Sequence, residues 1–86
     1  MMNKQHEVQN LTFEGQWMIL TVDHQTYRLP IDQASSRLAQ ASDSDRNHYQ
    51  VSPSGYGIHW TMLDEDLSIN GLIRLAQAQP VQSTVS

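Results

Sequence analysis

The stretch from residue 55 to residue 73, GYGIHWTMLDEDLSINGLI, holds the densest mixture of aromatic, acidic and apolar residues in this chain. Its first half has the period of a strand, because Ile58 and Trp60 lie two residues apart with His59 between them. Successive side chains on a strand point to opposite faces, so we expect Ile58 and Trp60 to enter the core and His59 to point away from it. The turn signal Pro-Ser-Gly at residues 53–55 predicts a hairpin between this strand and the alternating residues before it.

The second half of the stretch predicts the last helix of the domain. Ser68 is a good N-cap, and the helix is expected to run from there to about Ala78. Its apolar residues recur at helical spacing: Ile69, Leu72, Ile73 and Ala76. Pro80 stops the helix. The polar tail at residues 80–86 has too little apolar surface to offset its ordering entropy, so we expect it to be frayed.

Upstream, the chain from Val8 to Pro30 alternates as three short strands would. Turn signals lie at residues 14–16 and 23–25. The segment between them, residues 17–22, is apolar on both faces, which is typical of a central strand. These features predict a three-stranded antiparallel meander.

Two helical segments are predicted between the meander and the hairpin. Asp32 can cap a helix that runs through Ala41. Ser42, with Asp45 three residues later, fits the start of a second and shorter helix that ends near His48.

These elements predict an α+β fold, β-β-β-α-β-β-α in sequence, with helices packed on one face of a small antiparallel sheet. We expect residues 1–7 to be an N-terminal extension, residues 8–79 a single domain and residues 80–86 its frayed tail. The bulky residues expected to be largely buried are Trp17, Ile19, Leu38, Val51, Trp60, Leu63 and Leu72.

Composition narrows the classes of function. Nine Asp/Glu against five Lys/Arg leave a net charge of −4, whereas a nucleic-acid-binding domain usually carries a basic stripe. The basic residues are scattered singly: Lys4, Arg28, Arg37, Arg46 and Arg74. The chain has no cysteine, no signal-peptide pattern and no apolar run of the length of a membrane span. We therefore expect a cytoplasmic protein without direct contact to nucleic acid or membrane.

One histidine and three consecutive acids are the candidate metal ligands of the quoted stretch: His59, Asp64, Glu65 and Asp66. Their spacing matches no metal site of known geometry, and adjacent carboxylates on a strand point apart. Acids ahead of a helix also stabilise its N-terminus, so a structural role is favoured over a catalytic one. No catalytic residue, metal or cofactor is predicted.

We instead divide these residues between a binding surface and the architecture. Asp66, nearest to the helix cap, is expected to be structural, and Glu65 is expected to point outward. The residues expected at the binding surface are His59, Asp64, Glu65 and Tyr56. Those expected to serve the structure are Trp60, Asp66 and Ser68. A metal-assisted or acid–base enzyme that uses His59 with Asp64 and Asp66 remains the alternative.

Several motifs of the chain resemble those of domain-of-unknown-function family 2442. They are Ser36-Arg37-Leu38-Ala39-Gln40-Ala41, Arg46, Tyr49-Gln50-Val51, Gly55-Tyr56-Gly57-Ile58-His59-Trp60, Leu63-Asp64-Glu65-Asp66-Leu67-Ser68 and Leu72-Ile73. The resemblance covers about residues 8–73 and implies a small α+β fold in bacterial cytoplasmic proteins. Many such proteins are encoded beside another small protein, in an arrangement like a toxin–antitoxin pair. One departure is Asp23-His24-Gln25, where the family commonly has Asp-Gly, so we expect a longer or different loop there.

The resemblance and the acidic charge favour a non-enzymatic protein-interaction module. It would be an antitoxin-like or regulatory partner of a neighbouring small protein, because complementary charge speeds the association of an acidic protein with a basic one. The adjacent gene is the natural source of that partner, and a homodimer is compatible with the sequence.

Overall fold

The computed structural model describes residues 5–79. Three strands come first, followed by three short helices, three further strands and a final helix. The elements are β1 (Val8–Glu14), β2 (Trp17–Val22), β3 (Gln25–Pro30), α1 (Ile31–Ala34), α2 (Ser36–Gln40), α3 (Asp43–Arg46), β4 (Tyr49–Val51), β5 (Gly57–Trp60), a 3-10 turn (Thr61–Leu63), β6 (Glu65–Ser68) and α4 (Ile69–Gln77).

The strands form two antiparallel sheets of three strands each, β1-β2-β3 and β4-β5-β6. The predicted α+β class and meander are confirmed, but the strands do not lie in one sheet. Strand β6 was not predicted, because Glu65 and Asp66 are residue types that strands disfavour. Pairing with β5 supplies the backbone hydrogen bonds that local propensity would not predict.

The turn between β2 and β3 is tighter than we predicted. It contains only Asp23 and His24, and both have positive φ, 52° and 68°, as a type I′ turn requires. Asp and His tolerate this region better than most residues other than glycine. The Gln9 side chain accepts from the His24 N–H at 2.7 Å, and the Asp23 carboxylate accepts from the Glu7 N–H at 2.8 Å. These bonds stabilise the turn, which lacks the glycine that a type I′ turn usually contains.

The helix predicted from Asp32 to Ala41 is broken at Ser35, which is extended at φ −165° and ψ 123°. Asp32 does not cap it; Pro30 holds the N-cap position of α1, and no side chain bonds there. The buried Ser35 instead caps α2, since its hydroxyl accepts from the Leu38 N–H at 3.2 Å. By contrast, the predicted Ser42 cap is confirmed.

One apolar core lies between the two sheets and the helices. Its fully or nearly fully buried residues are Leu11, Met18, Leu20, Val22, Leu29, Ile31, Leu38, Ile58, Trp60, Ile69 and Leu72. The predicted burial of Leu38, Trp60 and Leu72 is confirmed, whereas Val51 and Leu63 are only partly buried at its edge.

The assignment of Trp17 and Ile19 to the core is wrong. The central strand β2 is apolar on both faces, and Met18, Leu20 and Val22 form its inner face. Trp17 and Ile19 are half-buried on the outer face, where the Arg28 guanidinium carbon lies 4.6 Å from the centroid of the Trp17 ring. A strand with two apolar faces cannot by itself indicate which face is covered.

The final helix bridges the two sheets, because α4 contacts β3 on one side and β5 and β6 on the other. Ser68 caps it as predicted, accepting from the Gly71 N–H at 2.9 Å. A Cβ at Gly71 would lie 2.7 Å from this hydroxyl, so glycine leaves room for the cap. Within the described range, no helix has the length and apolarity needed to cross a membrane. The predicted helix stop at Pro80 and the predicted frayed tail lie outside the described residues.

Candidate functional site

The second sheet sorts the residues of the quoted stretch onto two faces. In the register of β5 and β6, Trp60 lies opposite Glu65 and His59 lies opposite Asp66. Trp60 and Glu65 therefore share the inner face, and His59 and Asp66 share the outer face. The alternation of Ile58, His59 and Trp60 is as predicted.

Trp60 is at the centre of the inner face and has no solvent exposure. Its indole N–H donates to the backbone oxygen of Arg46 at 2.9 Å. The Arg46 guanidinium in turn donates to the backbone oxygens of Leu38 at 2.8 Å and Ala39 at 3.0 Å. The carbonyls at the end of α2 are thereby satisfied, and the short helices are tied to the second sheet.

Glu65 also belongs to the inner face, so the prediction that it points outward is wrong. Its carboxylate accepts a short hydrogen bond from the hydroxyl of the buried Ser35. The strand period explains the error, since any residue directly opposite Trp60 is turned toward the core. Glu65 thus joins β6 to the break between α1 and α2.

Asp64 lies in a left-handed conformation, at φ 51° and ψ 48°, where the 3-10 turn ends and β6 begins. Its backbone oxygen accepts from the Arg37 guanidinium at 2.8 Å, and the backbone oxygen of Leu63 accepts from the same nitrogen at 3.2 Å. The Asp64 residue is exposed, but it does not line the groove described below. The structure therefore separates Asp64 from the other predicted binding residues.

The outer face carries a histidine–carboxylate pair. The His59 Nδ1 lies 2.8 Å from a carboxylate oxygen of Asp66, and the two side chains are 40% and 76% exposed. We expected Asp66 to serve the adjacent helix cap, but it points to the opposite face from Glu65 and contacts His59 instead. Within the described part of the chain, no lysine or arginine lies within ion-pair distance of Asp66.

A groove of about 500 Å³ runs over this face. Six residues define its polar and aromatic lining: Gln50, Ser52, Tyr56, His59, Asp66 and Ser68. Tyr56 is 57% exposed, one of two large apolar or aromatic residues with such exposure among residues 5–79. The groove thus combines an exposed aromatic ring with an imidazole and the carboxylate that bonds it.

The turn between β4 and β5 holds Tyr56 beside the groove. The Ser52 hydroxyl accepts from the backbone N–H groups of Tyr56 at 2.9 Å and Gly57 at 3.1 Å. The Gly55 N–H donates to the Ser52 backbone oxygen at 2.9 Å. The backbone under the Tyr56 ring is therefore ordered, while the ring itself projects into solvent.

The chemistry available in the groove is that of an oriented imidazole. Asp66 engages Nδ1 of His59 and fixes the ring, which leaves Nε2 to exchange a proton or a hydrogen bond with a bound group. In the described residues, no three His, Asp or Glu side chains come together as a metal site would require.

A second histidine with side-chain partners lies at the junction of the two sheets and was not among the predicted site residues. His6 contacts Asp23 through Nδ1 at 2.8 Å and Asn70 through Nε2 at 2.6 Å. The hydrogen bond to Asp23 is the main cause that raises the pKa of His6, and the same bond lowers the pKa of Asp23. The three residues are distant in sequence, so no local motif could have indicated the cluster.

Comparison with known proteins identifies the family of the chain and leaves its activity open. The family model described as a protein of unknown function, DUF2442, matches residues 8–78. No curated protein and no solved structure gives a significant match to the chain. The match spans nearly all of the described domain and includes both sheets and the outer-face groove, so the chain belongs to the DUF2442 family.

Proposed function

We propose that this protein is a non-enzymatic protein-interaction module that binds its partner on the outer face of β4-β5-β6. One observation carries the proposal: the groove on this face presents an exposed Tyr56 beside the His59–Asp66 pair. Tyrosine supplies a large contact area at little conformational cost and is enriched at interaction hot spots.

The inner face supports the proposal by contrast. Trp60 and Glu65 each bond to a neighbouring element of the fold, through Arg46 and Ser35. Within residues 5–79, the side chains of His59 and Asp66 bond only to each other. Their pairing spans two adjacent strands that the backbone already joins, so the fold does not depend on it.

The partner that best suits this face is a small basic protein. The chain has a net charge of −4. The carboxylate of Asp66 is largely exposed, and no lysine or arginine of residues 5–79 lies within ion-pair distance of it. A lysine or arginine of the partner would find Asp66 and the face of the Tyr56 ring on one surface. We propose the product of the adjacent gene as this partner, in an antitoxin-like or regulatory complex in the cytoplasm.

Isothermal titration of the full chain with the purified product of the adjacent gene tests the proposal. We expect Tyr56→Ala and Asp66→Asn each to weaken binding about tenfold or more, equivalent to about 1.4 kcal/mol. Asp64→Asn is the matched control, because it removes the same charge two residues away and outside the groove. Equal losses for both Asp variants would show that net charge, not the groove, determines binding. Unchanged affinity for Tyr56→Ala and Asp66→Asn would refute the groove as the docking site.

An acid–base enzyme is the second candidate, because an imidazole oriented by a carboxylate in a groove is an arrangement suited to proton transfer. This version uses His59 and Asp66 without Asp64, which does not line the groove. Metal analysis of the purified protein distinguishes a metal-assisted enzyme, which would hold stoichiometric metal that is lost in His59→Gln. Stable binding of the basic partner without metal favours the interaction module.

A further inference from the structure

The N-terminal strap, which we define as residues 5–7, links the two sheets before β1 begins. At one end, the Gln5 N–H donates to the backbone oxygen of Ser54 in the β4–β5 turn at 2.7 Å. At the other end, Glu7 and Asp23 bond reciprocally: the Asp23 N–H donates to the Glu7 backbone oxygen at 2.9 Å, and the Asp23 carboxylate accepts from the Glu7 N–H at 2.8 Å. The strap therefore spans from the β2–β3 turn to the turn that carries Tyr56.

The ring of His6 lies in the middle of this strap, with only 18% of its side chain exposed. Nδ1 is 2.8 Å from a carboxylate oxygen of Asp23, and Nε2 is 2.6 Å from the amide oxygen of Asn70 on α4. Both oxygens accept hydrogen bonds. An imidazole donates from both nitrogens only when it carries two protons, so this pair of acceptors suits the imidazolium cation.

We propose that His6 is a protonation switch: as the imidazolium it locks the N-terminal strap onto Asp23 and Asn70, and its deprotonation releases the strap and the Tyr56 turn beneath it. Loss of a proton from Nε2 would place a lone pair against the Asn70 oxygen, and one of the two ring contacts would be lost. The effect on partner binding rests on the function proposed above, whereas the lock itself does not.

The contact between the strap and the Tyr56 turn is direct. Gly55, at φ +72°, packs so closely that a Cβ there would lie 1.9 Å from the backbone oxygen of His6. The same turn is held by the Ser52 hydroxyl, which bonds the Tyr56 N–H at its groove end. Movement of the strap is therefore transmitted to the backbone that positions Tyr56 beside the groove.

The charges around His6 favour the imidazolium. Asp23 faces His6 from the β2–β3 turn, and its hydrogen bond is the largest single cause of the raised pKa of His6. Glu7 is next to His6 on the strap, and His24 lies in the same turn as Asp23. The partial positive charge at the N-terminus of α4, where Asn70 is the second residue, opposes protonation, and Arg74 lies one turn further along that helix. The β4–β5 turn contributes no ionisable group at residues 53–55.

The sign of the pH dependence follows from these contacts. The hydrogen bond to Asp23, then the one to Asn70, raises the pKa of His6 above its ordinary value of 6.5, and burial opposes them only in part. A group whose pKa is raised by folding stabilises the fold fully below its ordinary pKa. That contribution is lost as pH rises through the raised value, so the strap is locked in mildly acidic solution and released in alkaline solution.

Ring titration of the full chain by NMR tests the lock without any partner. We expect His6 to titrate above the ordinary histidine value, and Asp23→Asn to shift its midpoint downward. The hydrogen-exchange protection of the Gln5 and Gly55 amides should fall severalfold as His6 loses its proton, and His6→Gln should show the low protection at every pH. His48→Gln, between α3 and β4, is the control and should behave as the parent. A midpoint at or below the ordinary value would show that the Asn70 amide turns to donate to a neutral ring, and would overturn the proposal.

Titration calorimetry with the adjacent gene product, at one pH below and one pH above the His6 midpoint found by NMR, tests the effect on the groove. We expect the parent to lose severalfold more affinity between these two pH values than His6→Gln loses, because the groove histidine His59 is common to both proteins. Equal losses of affinity in the parent and in His6→Gln would overturn the switch while leaving the proposed function intact. A protein that shows the NMR transition but does not bind through the groove at any pH would refute the proposed function and leave the lock established.

Discussion

The two faces of the second sheet come from the same short stretch of sequence but make different contacts. On the inner face, Trp60 and Glu65 bond to Arg46 and Ser35 and connect the sheet to the helices. On the outer face, His59 and Asp66 bond to each other beside an open groove.

The comparison is sharpest between Glu65 and Asp66, which are adjacent carboxylates on β6. One lies opposite a fully buried tryptophan and the other opposite a partly exposed histidine. Two acids of the same chemical type can therefore have different roles on one strand. Neighbouring residues of a strand point to opposite faces, so only one of the two points toward the core. Substitutions on each face test this division between an inner, structural face and an outer face that borders the groove.

The largest effect is expected for Trp60→Ala. Removal of a fully buried indole that also bonds Arg46 should lower the free energy of unfolding by about 3–5 kcal/mol. Trp17→Ala is the control on an outer sheet face, and we expect about 1–2 kcal/mol because that ring is only half-buried. Urea denaturation followed by circular dichroism measures both. Equal losses would contradict the assignment of Trp60 to the core.

Glu65→Ala and Asp66→Ala form a matched pair of neighbouring carboxylates. Glu65→Ala leaves the hydroxyl of the buried Ser35 without its acceptor and should lower stability by about 1–3 kcal/mol. Asp66→Ala removes a solvent-exposed partner of His59 and should change stability by less than about 0.5 kcal/mol. Equal shifts in the thermal midpoints of the two variants would contradict the placement of Glu65 and Asp66 on opposite faces of β6.

Ser68→Ala tests an exception to the division. Ser68 shares the outer face of β6 with Asp66, but its hydroxyl caps α4 by accepting from the Gly71 N–H. We expect a loss of about 1 kcal/mol in the free energy of unfolding. Ser68→Asp supplies another capping acceptor and should recover most of that loss, whereas a loss that persists in Ser68→Asp would exclude capping as its cause.

The smallest effect on stability is expected for His59→Gln. The substitution keeps a hydrogen-bonding group next to Asp66 and removes only an exposed ring contact, so stability should change by less than about 0.5 kcal/mol. Denaturation midpoints measured beside partner affinity will sharpen the comparison. A loss of several kcal/mol would place His59 with the architectural residues of the inner face.

Much of this division could be predicted from local pattern. The alternation of Ile58, His59 and Trp60 correctly separated the core face from the outer face. The cap at Ser68 and the strands of the first sheet were also recognisable, because capping and strand period depend on residues close together in sequence.

The errors have a common physical cause, which is contact between distant residues. Ser35 breaks the predicted helix because its hydroxyl bonds Glu65, thirty residues later in the chain. Trp17 and Met18 both belong to apolar faces of β2. Met18 is buried because the other elements of the fold pack on its face of the strand. Nothing local predicts these outcomes.

Local sequence pattern was sufficient to predict the α+β class, the order of most elements, the inward direction of Trp60 and the outward direction of His59. These features follow from periodicity and from bonds made within a few residues. The inward position of Glu65 and the pairing of Asp66 with His59 depend on contacts between elements that are separate in sequence. The tertiary structure also brought His6 to Asp23 and Asn70. Those outcomes depend on strand register and on packing between sheets, and both are set by the burial of the whole core.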